Sequence, residues 1–449
     1  MGGLDDFRAM LRLPLDQLPD PLPLRPVEQP FDVTVTPPGS KSIANRVLLL
    51  AGLARGISIV RNVPRGADDV EVMVAALRSL GVVIDEEAGD AGVLRITGVH
   101  GKPRGGVTLD LHNAGTATRF LTAAVCLADA PVVIDGSARM RQRPLGELIG
   151  MLRARGAEIE ELGAEGCVPI RVQPSKLVGG EVRIGRTQSS QFVSALCLIG
   201  PFLKGGLTFR FEQGMTSPSY IDMTLAILRG WVGGGGVAGG SVRGEATIDE
   251  TEVRGREWTI EPDASGATYF WAAGAVCARS RCVVPGLTNE SVQGDARFIE
   301  VLGRMGAGLR GGVFDLSLMP DAAMTLAAVA CFAEGTTEIY GLRTLRVKET
   351  DRIAALVAEL SKIGVRAEAF LYTDENGLTD EGLRVMPPVG GVDCSASAPA
   401  VTFETYDDHR MAMSMAIIGL RRPNVLIRNP RCVEKTYPGF WGDWAMLYT

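Results

Sequence analysis

The chain repeats itself. Five segments each read as an amphipathic helix, then a glycine, then a short strand: residues 72–80 before Gly81, 145–155 before Gly156, 221–231 before Gly233, 298–305 before Gly306 and 353–363 before Gly364. The glycines lie 75, 77, 73 and 58 residues apart. Glycine after the last apolar turn is a helix C-terminal signal, because it accepts the left-handed backbone that closes a helix. Near-equal spacing at this length predicts a βα-type unit copied along the chain rather than one doubly wound sheet. Residues 233–240 break the pattern with a formal GxGxxG at Gly234, Gly236 and Gly239. No apolar strand leads into it and no helix follows, so it reads as a flexible loop replacing the usual strand start, not as a dinucleotide site.

With 449 residues the chain has room for about two to four domains. Its 46% hydrophobic and 22% charged residues suit a globular protein with a large core. A net charge of -6, with Lys and Arg spread evenly, argues against nucleic acid. A local cluster of Arg and Lys can still reverse the potential for an anionic substrate. The eight cysteines form no CxxC pair and mostly sit in apolar runs, as reduced core thiols do. Three histidines, none at metal-ligand spacing, leave no zinc motif, and no metal or cofactor is expected. Residues 1–30 are rich in proline and read as a surface extension with no long helix and no part in the chemistry. They lack a basic start followed by an apolar stretch, and no apolar run is long enough to span a membrane, so cytoplasm is the expected location.

Polar clusters stand where helices begin. Residues 37–46, Pro-Pro-Gly-Ser-Lys-Ser-Ile-Ala-Asn-Arg, follow a predicted strand and place Lys41, Ser42 and Arg46 at a helix start. Such ends favour anions; Ser40 separates Gly39 from Lys41, so this is not a P-loop. Asn113, Gly115 and Thr116 allow close approach of a backbone to a ligand. Arg139, Arg141 and Arg143 lead into Pro144, and Arg holds carboxylate or phosphate bidentately. Ser189, Ser190 and Gln191 head one helix and Ser217 to Tyr220 another, both suited to a phosphate ester. Asp321 lies among small apolar residues, where burial predicts a raised pKa and a role as base. Residues 346–352 mix Arg346, Lys348, Glu349, Asp351 and Arg352 at a helix start; Asp408, His409 and Arg410 precede a Met-rich helix; Lys435 follows later.

Each cluster also has a plain structural reading. Ser189, Asn113 and Asp321 serve as helix caps, Arg139 and Arg141 as an exposed turn, residues 346–352 as a solvated charged turn, and the methionines after His409 as core. His409 beside Asp408 suggests a dyad, but no nucleophile motif accompanies it. Together the clusters put cations and hydroxyl donors at several helix starts, one per repeat, which fits a cleft for polyanionic small molecules.

Taken in order, Pro38-Gly-Ser-Lys41-Ser42, Asn113-Ala-Gly-Thr116, Arg143-Pro144, Pro320-Asp321-Ala-Ala-Met-Thr, Arg346-Val-Lys-Glu-Thr-Asp-Arg352 and Asp408-His-Arg-Met-Ala-Met413 resemble the motifs of the EPSP synthase (3-phosphoshikimate 1-carboxyvinyltransferase) family. The resemblance runs from about residue 32 to about residue 440. It implies an α/β, two-domain enolpyruvyl transferase fold, each domain three βαβαββ repeats, with the ligand cleft between them. Residues 31–40 plus 263–449 would form a discontinuous domain and 41–262 an inserted one. The implied reaction moves the enolpyruvyl group of phosphoenolpyruvate to the 5-hydroxyl of 3-phosphoshikimate, without cofactor or metal, in a monomer that binds neither nucleic acid nor membrane. By resemblance, 3-phosphoshikimate would be held by Lys41, Ser42, Arg46, Ser189, Ser190, Gln191, Ser217, Tyr220, Asp321 and Lys348. Phosphoenolpyruvate would sit on Lys41, Gly115, Arg143, Gln191, Arg352, Arg410 and Lys435. Asp321 would act as base, and Glu349, with Lys41 nearby, as the acid that protonates the methylene carbon. Thr344 stands where many relatives have Asn, and Phe120 where many have Pro; both bear on glyphosate, the family's inhibitor. The enolpyruvyl transferases of UDP-N-acetylglucosamine differ in having Lys-Asn at the first motif and a reactive loop cysteine; here that motif reads Lys41-Ser42, and Cys126 lies in an apolar run.

Overall fold

Three apolar helices with no polar stripe cannot lie on a surface and must be enclosed. That requirement organises each half of the chain. The computed structural model describes residues 3–212, 214–241, 244–374 and 377–449. It divides into two compact units, Met1–Pro38 with Pro262–Thr449 (unit 1) and Gly39–Glu261 (unit 2).

In unit 2 the helices Lys41–Leu53, Gly115–Ala124 and Ser190–Ile199 are buried almost end to end and pack on one another. Each leads into a strand and then an amphipathic helix: Ile57–Arg61 with Asp68–Ser79, Val132–Asp135 with Gly146–Arg153, and Lys204–Phe211 with Pro218–Val232. The three four-stranded sheets share one pairing plan. Val107–Asp110 runs parallel to Val132–Asp135, which pairs antiparallel with Ile170–Val172, which pairs in turn with Ile159–Glu161. Val178–Ile184, Lys204–Phe211, Glu245–Ile248 and Val237–Gly240 follow the same order. In the first copy the leading strand arrives last: Glu257–Thr259 lies parallel to Ile57–Arg61, with Glu257 opposite Ile59. The unit thus closes on itself, with the strand before Pro262 completing the repeat that begins at Lys41.

Unit 1 follows the same scheme. Its enclosed helices are Ala264–Val276, Ala323–Ala330 and His409–Gly419. One copy is full, with Val313–Asp315, Thr337–Tyr340, Thr379–Met386 and Arg366–Thr373 paired as in unit 2. The other two are shorter: Asp32–Thr34 pairs with Arg281–Val283, and Val401–Phe403 with Val425–Ile427.

All five glycines of the repeat have positive φ: 92° at Gly81, 100° at Gly156, 82° at Gly233, 68° at Gly306 and 76° at Gly364. Two expectations are corrected. Residues 237–240 form a strand, because ladder hydrogen bonds use backbone groups that glycine and alanine supply as well as any residue. Residues 4–24 do not simply lie along the surface as an extension. Leu4–Leu11 is a helix, and Phe7, Leu11, Leu18, Leu22 and Leu24 are buried in the core of unit 1. Leu22–Leu24 pairs antiparallel with Val425–Ile427 and supplies that sheet's third strand.

Candidate active site

In unit 2 the enclosed helices begin at residues singled out above; in unit 1 such residues stand at the starts of Arg352–Ser361 and His409–Gly419 and just before Ala323–Ala330, and backbone N–H groups and the helix dipole at such ends favour negative charge.

In unit 2, Lys41 is the first residue of its helix, and its Nζ lies 2.9 Å from Oδ2 of the buried Asp69. Arg46 is buried and each of its three nitrogens donates within the protein: Nη1 to the Ser42 carbonyl (2.7 Å), Nε to Thr224 Oγ1 (2.8 Å), and Nη2 to Ser194 Oγ and the Tyr220 carbonyl (3.2 Å each). Its guanidinium also lies 5.0 Å from the centre of the Phe120 ring. Burial lowers its pKa to about 10. Arg46 therefore ties three helix starts together and fixes the backbone at Ser42. Of the three arginines before Pro144, Arg143 turns inward; its Nη1 donates to the Asn113 carbonyl and to Asn113 Oδ1, 3.1 Å each. A Cβ at position 115 would lie 2.5 Å from Arg143 Nη2, so glycine there lets the guanidinium lie across the helix start. Arg141 instead pairs with Asp135 at the surface. Ser189 caps its helix by accepting from the Gln191 N–H, Ser190 is buried, and Gln191 Nε2 donates to Thr116 Oγ1 at 3.2 Å. Ser217 has φ 43°, at the start of the Pro218–Val232 helix that carries Tyr220.

In unit 1 six ionisable groups interlock. Arg352 donates from Nη1 to Asp321 Oδ1 (2.8 Å), from Nη2 to Glu349 Oε2 (2.8 Å), and from Nε to Asp408 Oδ2 (2.8 Å). Lys348 Nζ lies 3.2 Å from Asp321 Oδ1, and Arg410 Nη2 lies 3.3 Å from Asp321 Oδ2. Asp408 also caps the His409–Gly419 helix through the Arg410 N–H (2.9 Å). All but the partly exposed Lys348 are buried. Three cations face three carboxylates, the arrangement that makes burial of so much charge tolerable. Lys435 is buried on the short turn Pro430–Lys435.

The expected rise in the Asp321 pKa is reversed. Burial pushes it up, but Arg410, Lys348 and Arg352 together outweigh burial and hold the carboxyl well below the usual carboxylate range. Burial lowers the Lys348 pKa against the pull of Asp321. Asp321 is no helix cap, and the charged turn at 346–352 divides: Arg346 pairs with Glu381 and Asp351, while Lys348, Glu349 and Arg352 turn inward. His409 is buried beside its helix cap, and Met411, Met413 and Met415 are core. Burial raises the Cys126 thiol to about 12, far from a reactive thiolate. Sequence reasoning missed Asp69, Ser194 and Thr224 as partners of Lys41 and Arg46. Helical spacing was the available signal for two of them, since Ser194 follows Ser190 and Thr224 follows Tyr220 by one turn. Among the described residues no group of three or more His, Cys, Asp or Glu is arranged to hold a metal ion, and no helix is long and apolar enough to cross a membrane.

The fold is that of the enolpyruvyl transferases. The solved EPSP synthase of Acinetobacter baumannii superposes with a TM-score of 0.72 at 23% identity, covering 93% of this chain and 96% of that one. The enolpyruvyl transferase NikO of Streptomyces tendae does so at 0.63 and 18%, covering 95% and 97%. Sequence then narrows the class. The family profile described as EPSP synthase (3-phosphoshikimate 1-carboxyvinyltransferase) matches residues 27–444. The 3-phosphoshikimate 1-carboxyvinyltransferase of Thiobacillus denitrificans is 41% identical over 435 residues, covering 92% of this chain and 96% of the relative. That of Klebsiella pneumoniae is 36% identical, covering 95% and 99%. The chain belongs to the EPSP synthase family.

Proposed function

We propose that this chain transfers the enolpyruvyl group of phosphoenolpyruvate to the 5-hydroxyl of 3-phosphoshikimate, releasing phosphate. The observation that carries the reading is the Asp321 cluster: a buried carboxylate held by Lys348, Arg352 and Arg410 within a family matched along nearly the whole chain. Ser189, Ser190 and Ser217 take the ester phosphate of 3-phosphoshikimate, with Lys41, Ser42, Gln191, Tyr220 and Lys348 around the ring and Arg46 bracing Ser42. Arg143, Arg352, Arg410 and Lys435 take the anionic groups of phosphoenolpyruvate, with Gly115 leaving room for Arg143 and Lys41 and Gln191 serving both substrates. Holding the two anions against their repulsion is the entropic and electrostatic part of the catalysis.

Asp321 is already ionised, the state a base requires, but its three cations make it a weak one. A substrate anion that draws Arg352 and Arg410 to itself restores basicity to Asp321. Asp321 then takes the 5-hydroxyl proton as the oxygen bonds to C2 of phosphoenolpyruvate. Glu349, which takes up a proton once that anion draws Arg352 away, delivers it to the methylene carbon with Lys41 assisting, giving a tetrahedral adduct. Return of a methyl proton to Glu349 and cleavage of the C2–O bond to phosphate, which leaves with the proton held by Asp321, form the enol ether. The substrates are small molecules, and we place the reaction in the cytoplasm, carried out by a monomer. The test is phosphate release from phosphoenolpyruvate with and without 3-phosphoshikimate, in EDTA. Release that requires 3-phosphoshikimate and ignores the chelator supports the reading. Release that requires UDP-N-acetylglucosamine, or none at all, overturns it.

A further inference from the structure

Two acidic residues open the helix Asp68–Ser79, and they face different ways. Asp68 is partly exposed and accepts from His112 Nδ1 at 3.0 Å, tying the helix to the turn that precedes Asn113 and Gly115. Asp69 is turned inward; its side chain is 1% exposed, and its Oδ2 lies 2.9 Å from Lys41 Nζ, itself 14% exposed. A carboxylate buried to this degree is sustained only by a partner of opposite charge, and Lys41 is that partner. The lysine gains in turn. An ammonium on a four-carbon stem has no fixed position of its own, whereas one tethered by a buried carboxylate does. The tether is rigid, because Asp69 sits in the first turn of a helix whose Leu77 packs against Gly52 of the Lys41 helix.

We infer that Asp69 is a positioning residue of the reaction: it holds the Lys41 ammonium where substrate anions and the migrating proton meet it, and acts only through Lys41. The inference rests on the proposed activity. It accounts for a carboxylate placed beside a site built for anions, where it weakens ground-state binding. A fixed ammonium is worth that repulsion if its orientation matters more at the transition state than in the substrate complex.

The experiment compares Asp69→Asn, Asp69→Glu and the unaltered chain for phosphate release dependent on 3-phosphoshikimate, with thermal unfolding alongside. Asn keeps the shape and removes the charge. The expected result is a kcat lower by about tenfold or more, KM values for both substrates unchanged or lowered, and an unfolding midpoint close to the parent's. Glu keeps the charge one methylene further out and is expected to recover part of kcat. If Asp69→Asn unfolds the protein, Asp69→Glu decides alone: a folded variant with reduced kcat supports the inference, and parental kcat overturns it. Parental kcat in Asp69→Asn, or a loss carried entirely by KM, also overturns it. If the unaltered chain shows no release dependent on 3-phosphoshikimate, the activity itself fails and this inference with it. Active parent and indifferent variants would sink the inference alone.

Discussion

The two units share a scaffold and differ in chemistry. Each encloses three apolar helices, one per repeat, and presents polar side chains at their starts. In unit 2 those starts carry hydroxyls, amides and cations, and one buried carboxylate, Asp69, faces Lys41. In unit 1 a set of three cations and three carboxylates centres on Arg352, the first residue of the amphipathic helix Arg352–Ser361, and draws in Asp321, Asp408 and Arg410 from two of the enclosed starts. An anion arriving in unit 2 meets donors; an anion arriving in unit 1 must take the place of a carboxylate already bound. On the proposed reading the same helix-start geometry serves ligand capture in unit 2 and both ligand capture and proton transfer in unit 1, where cations already hold carboxylates.

The sharpest way to break this contrast is Asp321→Asn. Removing the proposed base while keeping the shape should lower kcat by about 10³-fold, at the middle of the range for general acid–base groups. Substrate titration should still show binding, since Arg352 and Arg410 gain freedom to hold an anion. Loss of binding equal to the loss of rate would make Asp321 a ligand contact and remove the division of labour.

Arginine deletion compares the units directly. Arg352→Met takes a cation away from Asp321, Glu349 and Asp408 in the interior, and breaking a buried ion pair from one side costs about 3–5 kcal/mol. Arg46→Met strands hydroxyls and carbonyls instead, at about 1–3 kcal/mol. Denaturant unfolding of both variants checks the order, and equal losses would mean that unit 1 is no more charge-dependent than unit 2. A smaller effect is expected from Glu349→Gln, which can keep a hydrogen bond to Arg352 but cannot give up a proton as the acid does. Its kcat should fall by about 10²-fold while affinity for 3-phosphoshikimate, measured by titration, changes little. Parallel losses would assign Glu349 to binding.

The repeat was legible because its signals are local: an apolar period followed by a glycine that the backbone needs in left-handed form at Gly81, Gly156, Gly233, Gly306 and Gly364. What closes each unit was not legible. Leu22–Leu24 finds its partner at Val425–Ile427, and Glu257–Thr259 finds its own at Ile57–Arg61. Strand pairing over such separations leaves no mark in either segment, and the prolines around residues 14–30 pointed away from structure. The polar clusters at helix starts were legible because Ser, Lys and Arg there are readable. Their electrostatics were not. The apolar neighbours of Asp321 in sequence predicted a raised pKa, whereas the cations that lower it come from positions 348, 352 and 410. Asp69 looked like any acidic residue in a first helical turn, and only packing shows that it turns toward Lys41.

The smallest effect lies in pH dependence, and it tests whether unit 1 keeps a carboxylate outside its matched set. Asp295 is buried and accepts from Ser265 Oγ; burial raises its pKa to about 6, the Arg410 charge opposes this, and the Asp321 charge adds to it. An unfolded aspartate loses its proton near pH 4, so between about pH 4 and about pH 6 the unfolded chain binds fewer protons than the native one. Stability contributed by this group is therefore present in full below about pH 4 and is lost as pH rises through about 6. Asp321 acts with the opposite sign in a lower window: its stabilisation is present above about pH 4 and is lost as pH falls toward its depressed native pKa. Asp295→Asn removes the first slope and leaves the second. Its unfolding midpoint, compared with the parent's, should rise progressively between pH 4 and pH 6 and then level off. Parallel curves across that interval would mean that Asp295 is ionised in the native protein, and unit 1 would then hold one more carboxylate than its three matched cations account for.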